Sequence, residues 1–307
     1  MPFATGTAAN FGAFYTALRD FLVSGLGVAD NWTQIAGSTG ALTAENDSVT
    51  PGNRIVLRGP GTGGTDQILI GMTPRINTAT DVFNLAITGL TIWNPALTTL
   101  TDQINRSRFT HLHLWNQPMQ YWFIGNARRF IVVVRVSTVY QVGYFGFVLP
   151  YVLPTLWPYP LFAGGCSGSD TWRFSQVDAN HSAFFDPGLN SSQLLFPDVV
   201  WRDVENKQNP GGGATDQYDQ DAVLTHPYRY DREPIRENLD GTYHLEPVSI
   251  ICRNPYEAQM ARFQSVFRVS GFGNSAESII QVGGVNYLVV PNVFRTQWDD
   301  YCAIALE

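Results

Sequence analysis

From Val136 to Ser169 the chain carries no charged residue, and Pro150, Pro154, Pro158 and Pro160 stand inside that stretch. No other feature constrains the fold as much. The stretch is longer than the ~20 apolar residues a membrane-spanning helix needs. Proline, however, lacks a backbone N–H and clashes with the preceding turn, so four at this spacing leave no uninterrupted helix. The segment therefore reads as a buried strand, Val139 to Leu149, followed by an aromatic loop pinned by proline. Gly143 and Gly146 mark places in that strand where a neighbouring backbone or ring comes close. No membrane span is expected.

Charged residues make up 15% of the 307-residue chain, against roughly 25% in an average soluble protein. Hydrophobic residues make up 44% and aromatics 13%, enough to bury a core and to argue against disorder. The net charge is −7, and Lys207 is the single lysine among nineteen basic residues. Without a basic surplus to neutralise phosphates, nucleic acid is not an expected partner. Lys207 has no Gly-rich loop before it, which excludes a P-loop. Cys166, Cys252 and Cys302 are too few and too scattered for a disulfide framework or a CxxC metal pair, and are expected to be buried free thiols. Met1 to Asn10 has neither a basic nor an apolar leader segment, so no export signal is expected.

Phe11, Phe14, Tyr15, Leu18, Phe21 and Leu22 recur at intervals of three and four, which predicts a helix opening the chain. Thr7 is its expected N-cap, and Gly25 and Gly27 end it. Strands dominate afterwards. Ile55–Leu57, Ile68–Ile70, Phe83–Gly89 and His111–Trp115 show short β patterns. Tyr121–Ile124 and Phe130–Val136 flank a hairpin turn at Gly125-Asn126-Ala127. Phe263–Val269, Ser278–Val282, Tyr287–Val290 and Tyr301–Leu306 follow, with Gly283-Gly284 at a turn. The expected fold is mainly β with an N-terminal helix, in β-sandwich or barrel-like layers. Two subdomains are expected, residues 1–163 and 164–307, the second with a flexible Gly-rich loop near 205–221.

Motifs for chemistry are weak. Gly59, Gly61 and Gly64 match GxGxxG, but the next segment is β-like, whereas a dinucleotide site needs a helix there. His111 and His113 share a strand face, a spacing that can bind a metal. No third ligand accompanies them, so they are expected on the wet face of a sheet. Asp216, Asp219 and Asp221 lack the EF-hand spacing. Cys166 has no identifiable base, and Asp299-Asp300 point to opposite faces if extended. No catalytic residue, cofactor site or metal site is assigned. The aromatic density between Trp115 and Tyr159 fits a core, a subunit interface or a glycan platform.

Several stretches together are familiar. Leu114-Trp-Asn-Gln-Pro-Met-Gln-Tyr-Trp-Phe-Ile-Gly-Asn-Ala-Arg-Arg-Phe-Ile-Val-Val-Val-Arg-Val is the most distinctive. Gly143-Tyr-Phe-Gly-Phe-Val-Leu-Pro-Tyr, Trp157-Pro-Tyr-Pro-Leu, Val269-Ser-Gly-Phe-Gly-Asn and Asn292-Val-Phe-Arg-Thr accompany it. The pattern resembles a family of virion structural proteins of tailed bacteriophages, associated with the tail or baseplate. That resemblance implies a non-enzymatic protein assembled in the host cytoplasm into the virion tail. Its partners would be other virion proteins and copies of itself. Alternatives are a receptor- or carbohydrate-binding module at the tail tip, with a host-surface glycan as partner, or a head decoration or neck protein. Arginine in place of lysine suits geometry-fixing contacts between subunits. The interface candidates are Tyr121, Trp122, Arg128 and Arg129 on the hairpin, and Tyr151, Trp157 and Tyr159 in the proline-rich loop.

Overall fold

The structure is a computed structural model that describes residues 2–37, 54–62, 66, 68–97, 99–176, 182–184, 191–205, 222–224, 237–252 and 255–306. It is mainly β. The chain opens with strand β1 (Phe3–Ala8), followed by helix α1 (Phe11–Asp20), which runs into a π-helical turn at Phe21–Gly25. Strands β2 (Thr33–Gly37), β3 (Ile55–Gly59), β4 (Ile68–Asn77), β5 (Val82–Leu90) and β6 (Thr110–Leu114) form an antiparallel sheet in chain order.

The remaining strands join β1 in a second, much longer sheet. They are β7 (Met119–Asn126), β8 (Arg129–Val136), β9 (Val139–Phe147), β10 (Leu149–Pro150), β11 (Leu161–Gly164), β12 (Ser192–Leu195) and β13 (Trp201–Glu205), then β14 (Ala222–Leu224), β15 (Glu246–Cys252), β16 (Ala258–Arg268), β17 (Ile279–Val282), β18 (Val285–Pro291) and β19 (Tyr301–Ala305). Among the described residues its order is β1-β7-β8-β9-β11-β12-β13-β14-β15-β16-β19-β18-β17, with β10 attached to β16. Position 164 ends β11, which pairs with both β9 and β12, so the sheet runs on across the expected subdomain boundary. Beyond Glu205, the expected Gly-rich loop lies outside the described residues.

The sheet β7-β8-β9-β11 is the middle layer of the molecule. On one face Phe123, Phe130, Val132, Val134, Phe145 and Leu161 share a core with Phe14 and Leu18 of α1 and with Leu57, Ile70 and Leu85 of the five-stranded sheet. On the other face Ile124, Ile131, Val133, Val142, Tyr144 and Phe162 share a core with Val248, Ile250, Phe263, Val266, Leu288 and Ile304. The C-terminal part of the long sheet thus folds back over its own beginning. Side chains alternate across a strand, so a strand covered on both faces has no wet side on which to place charge. All nine residues of β9 are buried, which accounts for the absence of charge in that strand. At Gly146 the backbone takes φ +119°, and a Cβ would lie 2.4 Å from the Arg128 carbonyl oxygen. Only glycine fits there.

The helix differs from expectation at its start. Asn10 is the N-cap, its side chain accepting from the Ala13 N–H at 2.9 Å. Thr7 lies in β1, opposite Gln120. Pairing with β7 keeps the backbone extended as far as Ala8, so the helix begins later and a strand opens the chain. The six predicted apolar helix residues are all buried. Phe14 and Phe21 set their rings on Phe123, with centroids 5.5 and 5.7 Å apart. No described helix is long and apolar enough to cross a membrane.

Candidate functional site

Residues 151–160 leave the sheet at Pro150 and return at Leu161. The loop is built as a small structure of its own. The Tyr151 N–H bonds the Met260 carbonyl at 2.9 Å, and the Leu156 and Trp157 N–H groups both bond the Leu153 carbonyl. The Trp157 ring points inward and is 1% exposed, its Nε1 donating to the Leu195 carbonyl at 2.9 Å. Tyr151, Val152, Leu153, Leu156 and Tyr159 face out, with Leu153 69% and Leu156 66% exposed. A single exposed leucine is ordinary. Five exposed large apolar side chains concentrated in one anchored loop are more than scattered surface residues, and such a concentration suits an interaction surface.

The other interface candidates fall in different places. Trp122 and Arg129 are buried inside the chain. The Arg129 guanidinium spans to Ser265 Oγ at 3.0 Å, tying the hairpin to β16. Tyr121 is half-buried and stacks on Phe123 with centroids 4.2 Å apart. Arg128 lies over the Phe147 ring at 5.5 Å. The structure therefore gathers Tyr151 and Tyr159 on one outward loop; Arg128 comes to the base of it, since Arg128 and Tyr159 both lie on the Phe147 ring, whereas Tyr121 packs against Phe14 and Phe123.

The histidine pair is not on a wet face. β6 is covered on both sides, leaving His111 2% and His113 0% exposed. His111 Nδ1 lies 3.2 Å from the Ser167 carbonyl, and His113 Nδ1 lies 3.1 Å from the Trp172 carbonyl. A carbonyl can only accept, so each Nδ1 carries the hydrogen and each Nε2 keeps a lone pair. Neither Nε2 has a partner. Burial pushes the His111 imidazole down to about 4. Burial, with His111 alongside, pushes His113 to about 3. Both rings are neutral at ordinary pH. Among the described residues no group of three His, Cys, Asp or Glu could hold a metal ion.

The other motifs carry no assembled chemistry. All three cysteines are buried thiols outside any disulfide. Burial pushes the Cys166 and Cys302 thiols up to about 12, away from the reactive thiolate. Gly59 ends β3 and the next element is the strand β4. Gly64, Asp216, Asp219 and Asp221 lie outside the described residues.

One arrangement escaped sequence reasoning. Arg75, Arg106, Arg108, Phe109, His111 and Asp170 line a surface cleft of about 290 Å³. Arg106, Arg108, Phe109 and His111 are close in sequence, but Arg75 arrives only through sheet register. Arg75 pairs with Asn84 across β4–β5, and Asn84 with His113 across β5–β6.

No protein-family model matches this chain, and no curated protein matches it.

Proposed function

We propose that the chain is a non-enzymatic structural subunit of a tailed-phage virion, forming contacts in the tail or baseplate with other virion proteins and with copies of itself. The resemblance of the segments quoted above supports the phage assignment. The observation that carries the mode of action is the apolar loop 151–160, held rigidly by the Trp157 anchor with Leu153 and Leu156 outward. A preordered apolar loop loses little conformational entropy when a neighbour covers it. The low charge content supports the same mode, since few ions have to be desolvated at a contact.

Assembly in the host cytoplasm agrees with buried thiols that have no disulfide partner. Head decoration or neck placement is the alternative location. Gold-labelled antibody on intact particles tests the assignment: tail labelling is expected, whereas capsid labelling moves the protein to the head and absence from particles refutes the role.

A further inference from the structure

Among the described residues the long sheet ends in two strands with a neighbour on one side only, β17 and β1. Such an edge presents a row of backbone N–H and C=O groups that can pair with another chain, and proteins commonly blunt it with a bulge, a charge or a proline. β17 is blunted. The Val289 carbonyl accepts from the Glu277 N–H at 2.9 Å, and the Val289 N–H donates to the Ser278 carbonyl at 2.8 Å. Two residues thus oppose one, as in a β-bulge. Glu277 takes φ +67° there, and its carboxylate is paired with Arg135. β1 carries none of these guards. Phe3-Ala-Thr-Gly-Thr-Ala8 has no charge and no proline, and its 6 residues pair with Ile124 to Met119 in unbroken register.

The register fixes which groups face outward. In an antiparallel ladder alternate residues exchange both bonds with the neighbouring strand, and the residues between them point both groups away from it. The Pro2 carbonyl accepts from the Gly125 N–H at 3.2 Å, so Pro2, Ala4, Gly6 and Ala8 form the set turned toward β7. The N–H and C=O groups of Phe3, Thr5 and Thr7 therefore point away from β7, and no described residue bonds them. These three are also the exposed residues of the strand.

The outward set is complementary to itself. Two copies of β1 set antiparallel about a two-fold axis at Thr5 place Thr5 opposite Thr5 and Phe3 opposite Thr7. Each of these pairs joins two outward residues, so each exchanges two hydrogen bonds. Thr–Thr and aromatic–β-branched pairs are favourable across strands, and no like charges meet. Held to β7 along its whole length, β1 gives up little conformational entropy on pairing.

We propose that two copies of the chain pair through β1 about a two-fold axis at Thr5, continuing the long sheet from one copy into the next. This rests on the reading of the chain as a subunit that contacts its own copies, and names the strand that makes the contact.

Sedimentation equilibrium of the purified full chain, with amide exchange read over β1, tests it. The chain should dimerise in the micromolar range or tighter, with the Phe3, Thr5 and Thr7 amides protected. Thr5→Pro removes an outward donor and no bond to β7. Thr5→Lys and Thr5→Glu each set like charges opposite one another. Each of the three should weaken self-association at least about tenfold and release the outward amides. An equimolar mixture of Thr5→Lys and Thr5→Glu should dimerise again, because the axis at Thr5 then sets opposite charges face to face. Thermal unfolding confirms that each variant folds; if Thr5→Pro does not, the charge variants carry the test. A monomer throughout the micromolar range, a dimer whose outward amides exchange freely, undiminished association of folded Thr5→Lys, or a mixture that associates no better than either charge variant alone overturns the proposal. A monomer in solution refutes the pairing and leaves incorporation into particles standing, whereas absence from particles refutes the subunit role.

Discussion

The Trp157 indole donates to the Leu195 carbonyl across 38 residues of chain, 2.9 Å from nitrogen to oxygen. This bond joins the proline-rich loop to β12, and the ring fills the core beneath the loop's exposed face. Trp157→Ala removes a fully buried aromatic and should cost about 3–5 kcal/mol. Trp157→Phe keeps most of the packing but leaves the carbonyl unpaired, at about 1–3 kcal/mol. Urea unfolding of the two variants checks the order.

Leu153 and Leu156 contribute little to the isolated chain because both are mostly in water. Leu153→Asp with Leu156→Asp should change unfolding free energy by no more than about 1 kcal/mol in total. The same pair should prevent incorporation into particles, because two charges would then have to be desolvated at the contact. Comparing unfolding curves with particle composition separates the two effects.

Acid should destabilise the protein through His111 and His113. Each is held neutral in the fold, at about 4 and about 3, whereas an unfolded histidine titrates near 6.5. Between those values the unfolded chain binds protons that the folded chain does not, so stability falls as pH drops from about 6.5 toward 4. Above that window the pair contributes no pH dependence. His111→Gln should flatten the slope of unfolding free energy against pH between about 6.5 and 4.5, measured at fixed salt.

The thiols offer a probe of the whole fold. Cys166 and Cys302 are fully buried, with their thiols pushed up to about 12. A thiol reagent at pH 8 should leave both unmodified in the native protein and modify both in denaturant. Rapid native labelling of either would contradict the packing of the two cores.

Gly146→Ala should cost roughly 2–4 kcal/mol, combining a left-handed backbone with a steric clash. The added methyl would meet the Arg128 carbonyl and the Arg129 Cα at 2.4 and 2.5 Å. Thermal unfolding reads the loss.

The local parts of the fold were legible and the global parts were not. The helical face was visible because all six apolar residues sit at helical spacing. The β17–β18 turn was visible because Gly283 and Gly284 both adopt positive φ, 60° and 84°, as a two-residue hairpin turn requires. β1 was missed: its Thr and Gly positions show little apolar patterning, and it is held by backbone pairing to β7. In β5 Phe83, Leu85 and Ile87 alternate with Asn84, Ala86 and Thr88, yet the whole strand is buried, and Asn84 donates to the Asp170 and Trp172 carbonyls. Whether a second layer covers a strand is decided by distant chain segments, which no local period records. For the same reason Trp122 and Trp157 resembled surface anchors in sequence and lie inside. The outward Tyr151 and Tyr159 were legible from the prolines around them. The arginine cleft was not, because Arg75 reaches it only through two strand registers.

Side-chain-resolution imaging of intact particles decides whether the 151–160 loop is a subunit contact. This chain should appear in the tail, with Leu153 and Leu156 covered by a neighbouring subunit and Trp157 still bonded to Leu195. Particles that lack the chain, or that hold it with the 151–160 loop bare to solvent, would contradict it.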